Sequence, residues 1–291
     1  MADELSQRLS VVLAEIGDLM QQRKDQVERL RDQITEIENQ EVQKNDHSEK
    51  GEIELPPIKK CFVIGNGKSI KGIDFKKLDG ETFGLTMAYR YWRKIDWYPD
   101  YYINVDHVVL NHHHKDIEAF IEEDKCKGYL LSRSILQVCP NLKDNTKVLF
   151  LEDLQRQRGN PFQYLISWCS GSVAFLFSVI LGYNEINTIG IDCNYVEFLP
   201  ECERQQDGSL IIKETPTQNP NYFIDDYQIK GDRYNVPNAK TVHMPSWEHI
   251  VFILTGYTNL NQQMMNVYAY TNDKVEGLSK FFSKKDIKEL L

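Results

Sequence analysis

The sequence is short of several features that define common classes of protein. No stretch approaches the roughly 18 apolar residues of a membrane-spanning helix, so no span is predicted. The N-terminus is charged and polar, which predicts no signal peptide. The six cysteines are scattered without a C-x-x-C pair, which favours reduced thiols in a cytoplasmic protein over a disulfide framework or a zinc site. Lysine and arginine number 34 against 43 acidic residues, and the formal net charge of −9 argues against a nucleic-acid-binding surface.

Residues 1–45 carry a pattern of apolar residues that predicts one long helix. The apolar positions repeat at steps of three and four, with one extra residue near Met20. Such a helix cannot bury its apolar stripe alone, so we expect a coiled coil that joins copies of the chain into a homo-oligomer. The alternative is an amphipathic helix that lies on the main domain. Residues 46–57 are polar and end in two prolines, which predicts a linker, and residues 58–291 are expected to form the α/β catalytic domain.

Short apolar runs alternate with helical patterns through the rest of the chain. Strands are predicted at 61–64, 82–87, 101–106, 129–131, 148–151 and 186–191. Helices are predicted at 88–94, 116–123 and 170–181. This alternation predicts an α/β fold, with a mostly parallel sheet and helices on both faces. Ligands bind outside the carboxyl ends of such strands, where three polar segments are found: Gly65-Asn66-Gly67, Asn104-Val105-Asp106 and Gly190-Ile191-Asp192.

The segment after the first strand is a candidate phosphate-binding loop. Gly65 and Gly67 allow a sharp turn and a close approach to a ligand, and free N–H groups at such a turn favour anions. The known phosphate motifs match only in part, because Ile70 stands at the third glycine of a dinucleotide fingerprint and Phe62 at the first glycine of a P-loop. The alternative is an ordinary tight turn after a core strand.

Residues 196–240 carry little regular pattern and are rich in Tyr, Asn and Asp. An irregular segment of this length is typical of a lid or a binding loop, and the alternative is a solvated excursion. Tyr222, Asp225 and Tyr227 are the candidates for acceptor contact or lid closure. The C-terminal residues 278–291 mix apolar residues with lysines, which predicts a surface helix or a peripheral contact with an anionic membrane.

Two segments resemble bacterial sialyltransferases of glycosyltransferase family 42. The first, Val63-Ile64-Gly65-Asn66-Gly67-Lys68-Ser69-Ile70, resembles the opening of those enzymes. The second runs from Ser170-Gly171-Ser172 through an apolar helix and Leu181-Gly182-Tyr183 to Ile189-Gly190-Ile191-Asp192, with matching spacing. A wider group, described as sialyltransferase-like or as related to archaeal hydroxymethylpterin pyrophosphokinase, shares both segments. The resemblance covers roughly residues 60–250.

The resemblance implies a modified GT-A-like α/β fold, a CMP-sugar donor, a glycan or surface-polysaccharide acceptor, and no metal or other cofactor. It places Gly65-Asn66-Gly67 along the CMP phosphate and ribose, and Ser170-Gly171 against the nucleotide. Asn104 matches an asparagine that contacts the donor, and Asn194 or Tyr195 falls near a tyrosine that holds the donor phosphate. The residues expected to complete the nucleotide site are Ser69, Asp106, Ser172, Gly190 and Asp192.

The same resemblance suggests a general base and leaves the donor sugar open. The family's base histidine falls at His243, with His249 as a rival. A histidine with a pKa near the operating pH suits removal of a proton from the acceptor hydroxyl, while hydroxyl and loop N–H groups suit the leaving phosphate. Asp225 and Asp226 are other candidates for the base or for holding the acceptor. Met87 stands where the family has a donor-binding asparagine, and this departure leaves open whether the donor is a sialic acid or another eight- or nine-carbon acid sugar.

Two other functions stay open on the sequence. The first is a Mg²⁺-dependent pyrophosphokinase acting on ATP and a pterin-like alcohol, with ion ligands from Asp106, Asp192, Asp225 or Asp226. The second is a non-catalytic nucleotide-binding module organised by the coiled coil. The His112-His113-His114 run is expected to be a solvated cluster rather than a metal site, because adjacent histidines on a helix point in different directions. We expect the protein in the cytoplasm, or at the inner membrane surface if its C-terminus makes that contact.

Overall fold

The computed structural model describes residues 57–261, 265–272 and 274–291. The coiled coil predicted at 1–45 lies outside these residues, as does the predicted linker up to residue 56. Both therefore stay predictions, and the homo-oligomer that depends on the coiled coil does too.

The described part of the chain contains eleven strands and six α-helices, joined by loops and short helical turns. The strands are β1 (Lys60–Ile64), β2 (Glu81–Leu85), β3 (Tyr101–Asn104), β4 (Gly128–Leu131), β5 (Val148–Phe150), β6 (Glu185–Ile189), β7 (Cys202–Arg204), β8 (Leu210–Ile212), β9 (Arg233–Tyr234), β10 (Asn266–Thr271) and β11 (Ser283–Asp286). The helices are α1 (Tyr89–Ile95), α2 (His107–His112), α3 (His114–Glu122), α4 (Leu151–Arg156), α5 (Ser170–Ile180) and α6 (Met244–Asn261).

The main sheet has eight strands in the order β11-β10-β6-β1-β2-β3-β4-β5, and every neighbouring pair is parallel. The chain builds outward from β1 to β5, returns to the other side of β1 at β6, and continues to β10 and β11. The strand order therefore reverses between β1 and β6. Ligands of open α/β sheets bind at such a switch point, outside the carboxyl ends of the strands. The predicted α/β fold with a mostly parallel sheet is confirmed.

Strand β1 lies in the middle of the sheet and is covered on both faces. Its residues from Cys61 to Ile64 are at most 1% exposed. Val63 packs in a buried cluster with side chains of α5 and α6, while Phe62 packs in a second cluster with side chains of α1 and α3. Successive side chains of a strand point to opposite faces, so a continuous apolar run is what a central parallel strand requires.

The segment at 196–240 has more regular structure than its sequence predicted. Strands β7, β8 and β9 form a separate antiparallel sheet, with Leu210 paired to Tyr234 and to Arg204. Each of these strands has only two or three residues, which is too short to show a two-residue periodicity. We refer below to residues 196–240 as the cap segment.

The prediction of a helix at the C-terminus was wrong. Strand β11 occupies residues 283–286 and pairs in parallel with β10 at the edge of the main sheet. The ammonium group of Lys285 lies 3.7 Å from the ring centroid of Tyr268 on β10, and Ile287 just after the strand is buried. A charged edge strand therefore produced the mixed pattern that was taken for an amphipathic helix. Within the described residues, no helix has the length and apolar character needed to cross a membrane.

Candidate functional site

A cavity of about 710 Å³ lies at the switch point. Its walls include the residues after β1, β2, β3 and β6, the first residues of α5, the cap segment and the turn that leads into α6. Cavities of this size are typical of small-molecule sites. Two of the three polar strand ends supply only part of their predicted residues to its surface, because Asn104 and Asp192 bond to other side chains away from the wall.

The glycine loops after β1 and β6 are pressed against each other. The N–H of Gly65 donates to the carbonyl of Ile189 at 2.7 Å, and that of Gly67 donates to the carbonyl of Gly190 at 2.8 Å. A Cβ on Gly65 would overlap the Gly190 carbonyl, whose carbon would lie at 2.7 Å. Gly190 itself has a φ of +66°, in the left-handed region. Packing between the two loops thus requires these glycines, which also line the cavity.

Ser69 and Asp192 hold the two loops together and do not line the cavity. The carboxylate of Asp192 accepts hydrogen bonds from the Ser69 N–H at 3.0 Å and from the Ser69 hydroxyl. Burial raises the pKa of Asp192, while the hydrogen bonds from Ser69 oppose that rise. Asn194 is exposed and also lies outside the cavity wall.

Asn66 joins the glycine loop to the cap segment. Its amide nitrogen donates to the Tyr227 hydroxyl at 2.9 Å and to the Thr86 hydroxyl at 3.0 Å. Its amide oxygen is buried and has no hydrogen-bond partner among the described residues. Burial raises the pKa of Tyr227 to about 12, so this hydroxyl stays protonated. The ring of Tyr227 stacks on that of Tyr222, and both residues line the cavity.

Strand β3 ends in one residue that lines the cavity wall and one that is buried behind it. Asn104 is fully buried and donates to the Tyr102 hydroxyl at 3.0 Å, so it does not reach the cavity. Asp106 lines the cavity and begins α2, where its Oδ1 accepts from the N–H groups of Val108 and Val109. The same oxygen accepts from Asn235 Nδ2 at 2.8 Å, which joins β3 to the cap segment.

Helix α5 directs its N-terminus at the cavity. Ser170 and Gly171 line the wall, and the Ser170 hydroxyl accepts from the N–H of Val105 at 3.2 Å. Ser172 is buried and lies outside the wall, because its hydroxyl accepts from the Cys169 N–H and donates to the Cys169 carbonyl, at 3.0 Å each. The N-terminus of an eleven-residue helix carries partial positive charge, which favours an anion.

His243 lines the cavity at the end of a short π-helical turn before α6. Its Nδ1 lies 2.9 Å from the carbonyl of Asn238, and its ring packs at a tilt of 35° against Tyr195, with centroids 4.8 Å apart. A carbonyl only accepts, so Nδ1 carries the proton and Nε2 has a free lone pair. No described residue makes a hydrogen bond with Nε2. Burial lowers the pKa of His243, while the Asn238 carbonyl and the charge of Asp106 oppose that shift.

The other predicted catalytic groups lie outside the cavity wall. His249 Nε2 lies 2.8 Å from the carbonyl of Tyr164. Asp226 is ion-paired with Lys94 on α1, and Asp225 accepts from the N–H of Asn219 at 3.3 Å. The structure therefore brings His243 and Tyr195 together and separates them from His249, Asp225 and Asp226.

The histidine run at 112–114 is not the solvated cluster that was expected. His113 is 8% exposed, and its ring packs beside Tyr234. His114 Nδ1 bonds instead to the carbonyl of Asn111 at 2.8 Å. Across the described ranges, no group of three His, Cys, Asp or Glu side chains is arranged to hold a metal ion.

Sequence reasoning missed several residues of the cavity wall. The most consequential are Thr86, Trp168, Cys169, Phe198, Arg204 and Asn238. Asn238 caps the turn before α6 by accepting from the Thr241 N–H at 2.8 Å, a position where asparagine is favoured and which the sequence signals. The others carry no local pattern that distinguishes them from surface residues.

Comparisons with known proteins gave distant structural matches. No protein family and no curated protein matched the chain. The sialyltransferase CstII from Campylobacter jejuni in complex with cytidine-5'-monophosphate matches at 15% identity and a TM-score of 0.46, over 80% of this chain and 87% of that chain. The sialyltransferase CST-II with trisaccharide acceptor and CMP matches at 15% identity and 0.45, over 78% and 86%. The MAf glycosyltransferase from Magnetospirillum magneticum AMB-1 matches at 13% identity and 0.41, over 74% of this chain and 32% of that chain.

A likeness at these identities and TM-scores does not establish an activity or a substrate. The expected relation to hydroxymethylpterin pyrophosphokinase stays a hypothesis.

Proposed function

We propose that this chain is a glycosyltransferase that moves an acidic sugar from a CMP-activated donor to a glycan or surface-polysaccharide acceptor. The observation that carries the proposal is His243, a histidine held in one tautomer at the wall of the switch-point cavity. The sequence resemblance to family 42 sialyltransferases, at the glycine loop and at the start of α5, supports the class of donor.

His243 has the properties that a general base needs. Its pKa lies below the ordinary value of 6.5, so the ring is neutral near pH 7. The Asn238 carbonyl holds the proton on Nδ1, and packing against the Tyr195 ring restricts the imidazole. The Nε2 lone pair is then available to an acceptor hydroxyl.

The donor needs a site for its nucleotide and its phosphate. The amide oxygen of Asn66 is a buried acceptor without a partner among the described residues, and a ribose hydroxyl or a cytosine amino group would satisfy it. The N-terminus of α5 at Ser170 and Gly171 favours the phosphate by its partial positive charge. Tyr195 and Tyr222 have raised pKa values because they are buried, so their hydroxyls remain proton donors.

The proposed reaction is a displacement at the anomeric carbon of the donor sugar. The acceptor hydroxyl transfers its proton to Nε2 of His243 while its oxygen bonds to the anomeric carbon. The bond between that carbon and the phosphate oxygen breaks, and CMP leaves with the electron pair. CMP is a good enough leaving group that the proposed step needs no metal ion.

The pyrophosphokinase hypothesis gains no specific support from the carboxylates that it would use. Asp192 is bonded to Ser69, and Asp106 is bonded to the N-terminus of α2. Asp226 is paired with Lys94, and Asp225 lies beside it outside the cavity wall. Nucleotide preference separates the two hypotheses directly.

Thermal unfolding with CMP, CDP, UDP, GDP and ATP, each with Mg²⁺ and with EDTA, tests the proposed donor class. A ligand that binds the native state raises the unfolding midpoint. We expect CMP to raise it in EDTA. A rise with ATP and Mg²⁺ alone would contradict the proposal and favour the pyrophosphokinase.

His243→Gln tests the base, with His249→Gln as the matched variant outside the cavity wall. The readout is CMP release from CMP-N-acetylneuraminate, with water or glycans as acceptors. We expect His243→Gln to lower kcat by about 10²- to 10⁴-fold and to leave CMP binding intact. A loss confined to His249→Gln would transfer the role to that residue and refute the assignment.

A further inference from the structure

Arg204 lies at the end of β7, where the antiparallel sheet of the cap segment reaches the cavity. Among the described residues that line the cavity, it is the sole lysine or arginine. Its side chain is exposed. Any full positive charge that this wall presents to a ligand at neutral pH, apart from a protonated histidine, therefore comes from Arg204.

Two other cations near the small antiparallel sheet of the cap segment are already paired. Arg233 on β9 forms an ion pair with Asp207 at 2.5 Å, and Lys213 just after β8 pairs with Glu203 at 2.7 Å. Arg204 makes no ion pair or hydrogen bond from its guanidinium to any described residue, and it lies 5.8 Å from the ring centroid of Phe198. Contact with an aromatic ring positions the guanidinium and leaves its charge without an anionic partner.

The remaining charges of the wall define what Arg204 can do. The acidic groups there are Asp106, Glu197 and Asp207, of which Asp207 is neutralised by Arg233. An anionic ligand meets repulsion from the others and needs a compensating cation. The donor phosphate does not need Arg204, because the N-terminus of α5 can bind it instead. That helix lies outside the cap segment.

We propose that Arg204 is a specificity residue that binds the carboxylate of an acidic sugar in this cavity. The planar guanidinium matches a carboxylate through two parallel N–H···O bonds. The carboxylate belongs to the donor sugar or to an acidic acceptor glycan, and the two sources share this chemistry. The inference rests on the proposed function and adds the residue that selects acid sugars over neutral ones.

The test compares the unaltered protein with Arg204→Gln, Arg204→Lys and Lys213→Gln. Lys213→Gln removes the same charge next to the same small sheet, at a residue that does not line the cavity. Calorimetric titration in EDTA measures binding of CMP and of the donor analogue CMP-3FNeuAc. A second titration, with CMP at saturation, measures binding of lactose and of sialyllactose.

We expect Arg204→Gln to weaken either CMP-3FNeuAc or sialyllactose by about tenfold or more, with CMP and lactose unchanged. The ligand that loses affinity identifies the donor or the acceptor as the source of the carboxylate. Arg204→Lys keeps the charge but loses the paired hydrogen-bond geometry. Its affinity for the same ligand should therefore lie between that of the unaltered protein and that of Arg204→Gln. Lys213→Gln should bind every ligand as the unaltered protein does.

Two results would overturn the inference without touching the proposed function. Equal losses for CMP and CMP-3FNeuAc in Arg204→Gln would assign the residue to the phosphate. Unchanged binding of all four ligands would show that Arg204 selects nothing. Failure of the unaltered protein to bind CMP would instead overturn the proposed function, and the donor assignment with it.

Discussion

Removal of the Asp232 carboxylate is predicted to release the cap segment from the main domain. Asp232 is 5% exposed and accepts from both terminal nitrogens of Arg90 on α1, at 2.5 and 2.9 Å. It also accepts from the Tyr234 hydroxyl at 2.9 Å and from the Ile229 N–H at 2.8 Å. Burial disfavours the charge of Arg90, but the hydrogen bonds to Asp232, together with the charge of Asp232 and the neighbouring tyrosines, outweigh that effect and raise the Arg90 pKa.

The magnitude follows from leaving one charge buried without its partner. Loss of one member of a buried ion pair costs about 3–5 kcal/mol, because the other charge keeps its desolvation penalty. We therefore expect Asp232→Leu to lower the free energy of unfolding by about 3–5 kcal/mol. The double variant Arg90→Leu with Asp232→Leu should lose less than the sum of the two single variants, because it leaves no uncompensated charge.

Urea unfolding of the unaltered protein, the two single variants and the double variant gives a double-mutant cycle. Limited proteolysis within residues 196–240 reports local release of the cap segment. Lys94→Gln is the matched control, because it breaks an exposed ion pair between the same helix and the same segment, with Asp226. Its cost should be at most about 1 kcal/mol. Two results would refute the reasoning. One is an equal loss of unfolding free energy in Asp232→Leu and Lys94→Gln, and the other is a loss in the double variant that equals the sum of the two single losses.

Two further predictions concern the glycine loops and the pH dependence of the reaction. Gly65→Ala should destabilise the fold by about 1–3 kcal/mol and weaken CMP binding, because its Cβ would overlap the Gly190 carbonyl. The control is Gly256→Ala, whose Cβ meets open space. Urea unfolding of both variants checks the prediction, and equal stability of the two would contradict it. The rate of CMP release should fall as the pH drops through the His243 pKa, which burial holds below 6.5, since only the neutral ring accepts a proton. His243→Gln should lose that acid limb, and a limb retained in the variant would assign it to another group.

The central strands and α5 were predictable because their surroundings leave a local pattern. A strand covered on both faces needs an unbroken apolar run, and β1 differs from its prediction by one residue. The apolar run at 170–181 is followed by Gly182, and α5 ends at Ile180. The position of the cavity followed from the same alternation, because carboxyl ends of parallel strands share one edge.

The side chains at that edge were less predictable than the edge itself. Ser69 and Asn104 lie at or just after strand ends and Ser172 lies in the first turn of α5, yet each bonds to another backbone or side-chain group of the protein. A polar residue near a site pattern can serve the ligand or the loop that forms the site. Sequence spacing does not distinguish these uses, because the partners lie from two to more than a hundred residues away.

The sequence by itself determined the alternating architecture, the central parallel strands and the edge of the sheet where the cavity opens, because burial imposes short-range periodicity on the chain. Only the tertiary structure decided that Asn238 sets the tautomer of His243, that Asn66 keeps a buried free acceptor, and that Arg204 reaches the wall unpaired. Those features depend on contacts between segments that the fold brings together from distant parts of the chain. A cap segment built from strands of two or three residues is held mainly by such contacts, and no local pattern records them.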